Sequence, residues 1–108
     1  MARVTTKPGV RFGGFTAALC RILTVVEECA RPLIEPPEVV ITSGSDGTHK
    51  PTSQHYTFSA VDIRTRNFTP TMRARFAASL AARLGPKFTV LDEGDHWHVQ
   101  VKKGGRYP

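Results

Sequence analysis

The chain has 108 residues, of which 40% are hydrophobic and 22% charged, and its formal net charge is +6. This length suggests one domain with a modest core, and no apolar run approaches the ~20 residues that a membrane-spanning helix needs. The charge predicts attraction to polyanions, a class that includes nucleic acid, anionic lipid headgroups and the anionic polymers of a bacterial cell wall, but it does not choose among them.

The first 14 residues are polar and interrupted by glycine and proline, so we expect an irregular lead-in. They lack the apolar core of a secretory signal, and we expect synthesis in the cytoplasm. Residues 16–31 have apolar side chains at helical spacing, with Thr16 as N-cap and Pro32 after the last turn. Cys20 and Cys29 would point to opposite faces of this helix, so we expect no disulfide between them and interpret both as core residues.

The β-branched apolar run at 39–42 predicts a strand that is buried on both faces, and the polar stretch 43–54 predicts a long loop. Residues 60–64 alternate between apolar and polar and predict a second strand. A second helix is predicted from Pro70 to about Leu84, because proline suits the first helical position and Gly-Pro follows.

Residues 88–91 and 96–101 predict a hairpin, followed by a basic tail at 102–108. The element order α-β-β-α-β-β contains no repeat and no long linker, so we expect one domain over 1–108. We predict an α+β fold in which a small, largely antiparallel sheet of about four strands is flanked by two helices.

Histidines and carboxylates gather near the second strand and the last hairpin. His96 and His98 are two apart on a strand, so they share one side, opposite to their apolar neighbours. Asp62 lies on the polar side of its strand, where a carboxylate is buried only if it is paired or bound to a metal. His55, Asp62 and one of the two strand histidines would form the two-imidazole, one-carboxylate set of a catalytic zinc site at one face of the sheet.

A zinc-bound water still requires a base that accepts its proton. Asp95 and Glu93 lie in the turn before His98 and are the candidates. His49 and His96 would donate hydrogen bonds to the oxyanion of a tetrahedral intermediate.

Simpler interpretations exist for the same residues. A lone histidine is usually a surface or hydrogen-bonded core group, a structural zinc site favours cysteine, and Ser53 lacks the Gly-x-Ser-x-Gly context of a serine nucleophile. A nucleic-acid module needs aromatic side chains interleaved with its arginines, and the sequence offers no such platform. A basic binding module in which the histidines are incidental is the plainest alternative.

The pattern Ser53-x-His55, with Asp62 seven residues after the histidine, precedes Asp95-x-x-His98. It resembles the zinc peptidase superfamily of D-alanyl-D-alanine carboxypeptidases and L-alanyl-D-glutamate peptidases, which includes phage endolysins and the zinc-binding domain of hedgehog proteins. The usual motif of that superfamily is Ser-x-His-x-x-Gly-x-Ala-x-Asp, followed by Glu/Asp-x-x-His. The resemblance covers roughly residues 38–101. Within this range the sequence is similar in pattern to small phage-encoded members of the superfamily.

The resemblance implies a Zn²⁺ ion bound by His55, Asp62 and His98. It also implies Asp95 as the general base, and Glu93 is the second candidate because small members often have an acid near that position.

Around the metal, the resemblance implies that His49 and His96 are second-sphere or oxyanion-stabilising groups. Ser53 would support the site or contact a substrate carboxylate. Phe58 stands where the motif usually has glycine, and its ring would shape the substrate cleft. We also assign Arg64 to the substrate side.

The function implied is a zinc metallopeptidase of the endolysin or carboxypeptidase type, which hydrolyses an amide bond in the stem or cross-bridge peptides of bacterial peptidoglycan. We expect a monomer without a membrane span, which reaches the cell wall after release or as part of a phage particle. The alternative is a non-catalytic hedgehog-like zinc-binding domain that acts as a binding or structural module of a phage.

Overall fold

The computed structural model describes residues 3–33, 38–44 and 60–102. The strands are Arg3–Thr6 (β1), Glu38–Ser43 (β2), Ala60–Arg64 (β3), Phe88–Asp92 (β4) and His96–Val101 (β5), and the helices are Ala17–Ala30 (α1) and Pro70–Leu84 (α2). The predictions made for His49, Ser53, His55 and Phe58, for most of the 43–54 loop and for the basic tail beyond Lys102 lie outside the described residues.

The strands form one mixed sheet in the order β1-β2-β3-β5-β4. β1 pairs parallel with β2, and the three other pairings are antiparallel. This confirms the α+β class with two helices and a largely antiparallel sheet. The prediction of about four strands and of an irregular lead-in was wrong for Arg3–Thr6, which forms a fifth strand. In this short edge strand only Val4 packs on the core, so the sequence contains no alternation that would predict it.

Both helices begin and end where local chemistry predicts. The Thr16 hydroxyl accepts from the Leu19 amide at 3.1 Å, and the Thr69 hydroxyl accepts from the Met72 amide at 3.3 Å, so each helix has an N-cap. α2 ends at Gly85, whose φ of +85° suits glycine. Within the described ranges, neither helix is long and apolar enough to cross a bilayer.

The core lies between the two helices and one face of the sheet. Residues of both helices belong to one buried cluster with alternate residues of β3 and β5, which are Val61, Ile63, Trp97, Val99 and Val101. The predicted burial of β2 on both faces is confirmed, because Val39, Val40 and Ile41 are all buried. Cys29 is buried but Cys20 is exposed, so the interpretation of Cys20 as a core residue was wrong.

Candidate metal and active site

A row of polar side chains crosses the sheet on the face away from the helices. β3 and β5 pair so that Asp62 is opposite His98, Arg64 is opposite His96, and Ala60 is opposite Gln100. Directly paired residues project from the same face of a sheet, and the alternate residues of both strands face the core. We use "polar row" for the side chains of Asp95, His96, Asp62, His98 and Gln100.

Asp62 and His98 are in direct contact at the centre of the polar row. Oδ1 of Asp62 lies 2.9 Å from Nδ1 of His98, and the two side chains are 13% and 14% exposed. The sequence placed Asp62 opposite to Val61 and Ile63 and required a partner for it, and both expectations are confirmed.

The second ring nitrogen of His98 also faces an oxygen. Nε2 donates to Oε1 of Gln100 at 2.6 Å. With Asp62 at Nδ1 and Gln100 at Nε2, a neutral ring would leave one nitrogen lone pair directed at an acceptor. The ring is therefore satisfied when it is doubly protonated, or when a cation replaces the proton between Nδ1 and the Asp62 carboxylate. The bond to Asp62, assisted by Gln100, outweighs burial and raises the pKa of His98 above its ordinary value.

His96 joins this pair to the carboxylates of the β4–β5 turn. Its Nδ1 is 2.6 Å from Oδ1 of Asp95, and its Nε2 is 3.9 Å from Oδ2 of Asp62 and 4.0 Å from Oε1 of Glu93. The hydrogen bond from His96 and its charge lower the pKa of the Asp95 carboxyl below its ordinary value. The lowered pKa favours the ionised form of Asp95, which is the form that can accept a proton.

Two of the three predicted zinc ligands, Asp62 and His98, are adjacent in the structure. Their donor atoms, a carboxylate oxygen and an imidazole nitrogen, are ligand types that zinc accepts. Within residues 3–33, 38–44 and 60–102, no group of three or more His, Cys, Asp or Glu side chains has the arrangement of a metal site. The third predicted ligand, His55, lies outside these ranges.

Gln100 is the member of the polar row that the sequence analysis missed. The signal for it was the same alternation that selected the histidines, since Gln100 follows His96 and His98 at two-residue steps on β5.

Comparisons with protein-family models, curated proteins and solved structures gave no match for this chain.

Proposed function

We propose that the chain is a zinc metallopeptidase that hydrolyses an amide bond in the stem or cross-bridge peptides of bacterial peptidoglycan. The observation that supports this most directly is His98, whose Nδ1 faces the Asp62 carboxylate while Nε2 is taken by Gln100. A histidine fixed in this way, beside a carboxylate, is typical of a metal ligand with its outer-shell partner.

In this proposal His55, Asp62 and His98 hold the metal. Gln100 accepts the Nε2 proton of His98, which leaves Nδ1 as the nitrogen that faces Asp62. When bound, zinc lowers the pKa of a water molecule toward about 7 and polarises the substrate carbonyl. The short β3–β5 pairing keeps Asp62 and His98 on rigid strands, so little reorganisation is needed on binding.

Asp95 is the general base in this proposal. Its ionised carboxylate takes the proton of the attacking water and then transfers it to the leaving amine. Its Oδ1 accepts a hydrogen bond from Nδ1 of His96, which connects Asp95 to the strand residues of the polar row. Glu93 is the second candidate, because its carboxylate is 4.0 Å from Nε2 of His96. His96 and His49 are the assigned donors to the oxyanion.

Arg64 supports a substrate-binding role at the same face. It pairs with His96 across β3 and β5, so it projects from the side of the sheet that bears the polar row. A guanidinium there suits a free carboxylate of a stem peptide. Ser53 and Phe58 complete the assigned substrate side, and the net charge of +6 would hold the protein on an anionic cell wall after release or within a phage particle.

The test combines metal analysis with digestion of purified peptidoglycan. The wild type should contain stoichiometric zinc and release new amino or carboxyl ends from muropeptides. His98→Ala should lose both properties, Asp95→Ala should keep zinc and lose cleavage, and Arg75→Ala, on the exposed side of α2, should behave as the wild type.

Two results would separate the alternatives. Stoichiometric zinc without any cleavage by the wild type would support a non-catalytic hedgehog-like zinc-binding domain. A wild type that binds no zinc would reject both the peptidase and the zinc-binding domain, and would leave a basic binding module.

A further inference from the structure

The turn between β4 and β5, residues 93–95, carries Asp95 and is bound by residues of two other parts of the fold. The carbonyl oxygen of Gly94 accepts from the hydroxyl of Thr65, just after β3, at 2.9 Å. The same oxygen accepts from Nη2 of Arg73, on α2, at 2.9 Å. The backbone amide of Thr65 donates to the carbonyl of Asp95 at 3.2 Å. Two successive residues of the turn are thus fixed through their main chain.

Thr65 is unusual for its burial. It is 2% exposed, and among the described residues it is the one member of the polar and charged residue types that is buried. A buried hydroxyl destabilises the folded state unless it has a partner, whereas valine has the same shape and needs none. The partner here is the carbonyl oxygen of Gly94, so the hydroxyl is used to hold the turn and is not needed to fill the space.

Arg73 holds the turn at a second point. Besides its bond to Gly94, its Nη2 lies 3.7 Å from Oδ2 of Asp92, the last residue of β4. Oδ1 of Asp92 in turn accepts from the Gly94 amide at 2.9 Å. Gly94 has a φ of +92°, a conformation that favours glycine, so the turn is tight and has few alternative geometries.

The Asp95 side chain has little else to position it. It is 92% exposed, and among the described residues its side chain bonds to His96. Its location therefore depends on the main chain that carries it, and a shift of about 1 Å in a reacting group can reduce a rate about 100-fold.

We propose that Thr65 and Arg73 are positioning residues, which hold the β4–β5 turn so that Asp95 stays beside His96. This inference rests on the proposed function, in which Asp95 is the general base. Neither residue touches the reacting atoms. Both act through the main chain of Gly94 and Asp95.

The kinetic test uses variants matched in shape. Thr65→Val keeps the volume and removes the hydroxyl, and Thr65→Ser keeps the hydroxyl. Thr65→Val should lower kcat for a stem peptide at least about tenfold while KM and zinc content stay unchanged, and Thr65→Ser should retain most of the rate. In an Asp95→Asn background Thr65→Val should cause no further fall. Equal losses in the valine and serine variants, or full additivity with Asp95→Asn, would overturn the proposal.

A second measurement does not depend on activity. The backbone amides of Gly94 and Asp95 should be rigid in the wild type, with ¹⁵N order parameters of about 0.85. These values should fall in Thr65→Val and in Arg73→Met, but not in Thr65→Ser or in the matched surface control Arg75→Met. Unchanged order parameters in both test variants would overturn the proposal. A rigid turn in a wild-type protein that binds zinc and cleaves nothing would count against the proposed function alone.

Discussion

The Nδ1 atom of His98 lies 2.9 Å from Oδ1 of Asp62, across the pairing of β3 with β5. The two residues are 36 positions apart in the chain and are directly opposite in register. The contact therefore depends on the strand pairing of the sheet, and five predictions depend on it or on the core that supports it.

Zinc should stabilise the protein through Asp62 and His98. Because the ion binds the folded state, free zinc at about 100 times its Kd should raise the free energy of unfolding by about 2.7 kcal/mol. Chemical denaturation with and without zinc measures this gain. Asp62→Ala and His98→Ala should lose most of it, and Arg75→Ala should keep it. An undiminished gain in His98→Ala would show that zinc binds elsewhere.

His98 should titrate above its ordinary pKa in the zinc-free protein, because the Asp62 carboxylate favours its protonated form. NMR titration of the imidazole measures this directly, and Asp62→Asn should lower the value. Since the folded pKa is the higher one, the stability that this pair contributes is present below the unfolded pKa and is lost as pH rises through the folded pKa. A His98 pKa at or below the ordinary value would contradict the pairing.

Gln100→Leu should weaken zinc binding by about 10- to 100-fold, the effect expected when the outer-shell partner of a histidine ligand is lost. The substitution keeps the approximate size of the side chain but removes the acceptor for Nε2 of His98. Competition with a chelator measures the affinity. Thr89→Val, at the position paired with Gln100 on β4, is the matched control. Equal affinities for Gln100→Leu and the wild type would remove Gln100 from the site.

Asp95→Asn should lower kcat on a purified stem peptide by about 10²- to 10⁴-fold, the usual contribution of a general base, and should leave zinc affinity unchanged. Glu93→Gln should have the smaller effect, because Asp95 has the direct bond to His96. Steady-state kinetics of the two variants compare them. The reverse ranking would assign the proton transfer to Glu93.

Phe76→Ala should reduce the free energy of unfolding by about 3–5 kcal/mol. Phe76 is fully buried, and its ring centroid lies 4.6 Å from that of Phe68 and 4.9 Å from that of Trp97. Urea denaturation measures the loss, and Arg75→Ala on the same helix should change stability by less than about 0.5 kcal/mol. A loss below about 1 kcal/mol for Phe76→Ala would mean that the cluster repacks around the gap.

Much of the fold follows from local patterns in the sequence. Thr16 and Thr69 mark the starts of the helices, and the alternation in β3 and β5 predicts which side chains face the core. The parallel strand Arg3–Thr6 does not follow, because its register with β2 depends on residues more than 30 positions away and its own side chains are mostly polar. A short edge strand of this kind carries no periodic signal.

In the candidate site, too, some features could be predicted from the sequence and others could not. Alternation along β3 and β5 was sufficient to place Asp62, His96 and His98 on one face. It did not predict the contact between Asp62 and His98, because strand order and register are properties of the whole sheet. The alternation also did not select Thr65 and Arg73. Both side chains donate to a main-chain carbonyl oxygen, and every residue type has such an oxygen, so the sequence does not reveal these contacts.

The alternation of Trp97 and Val99 with the histidines of β5 has one more consequence. If β5 shifted by one residue, the side chains of His96 and His98 would point into the core beneath the helices, and the side chain of Trp97 would point to the solvent. Burial of a tryptophan ring contributes strongly to stability, so every such slipped form is penalised by the core itself. The same register of β5 therefore buries Trp97 and places His96 and His98 on the face that bears Asp62. A molecule that folds with Trp97 in the core also has its polar row aligned.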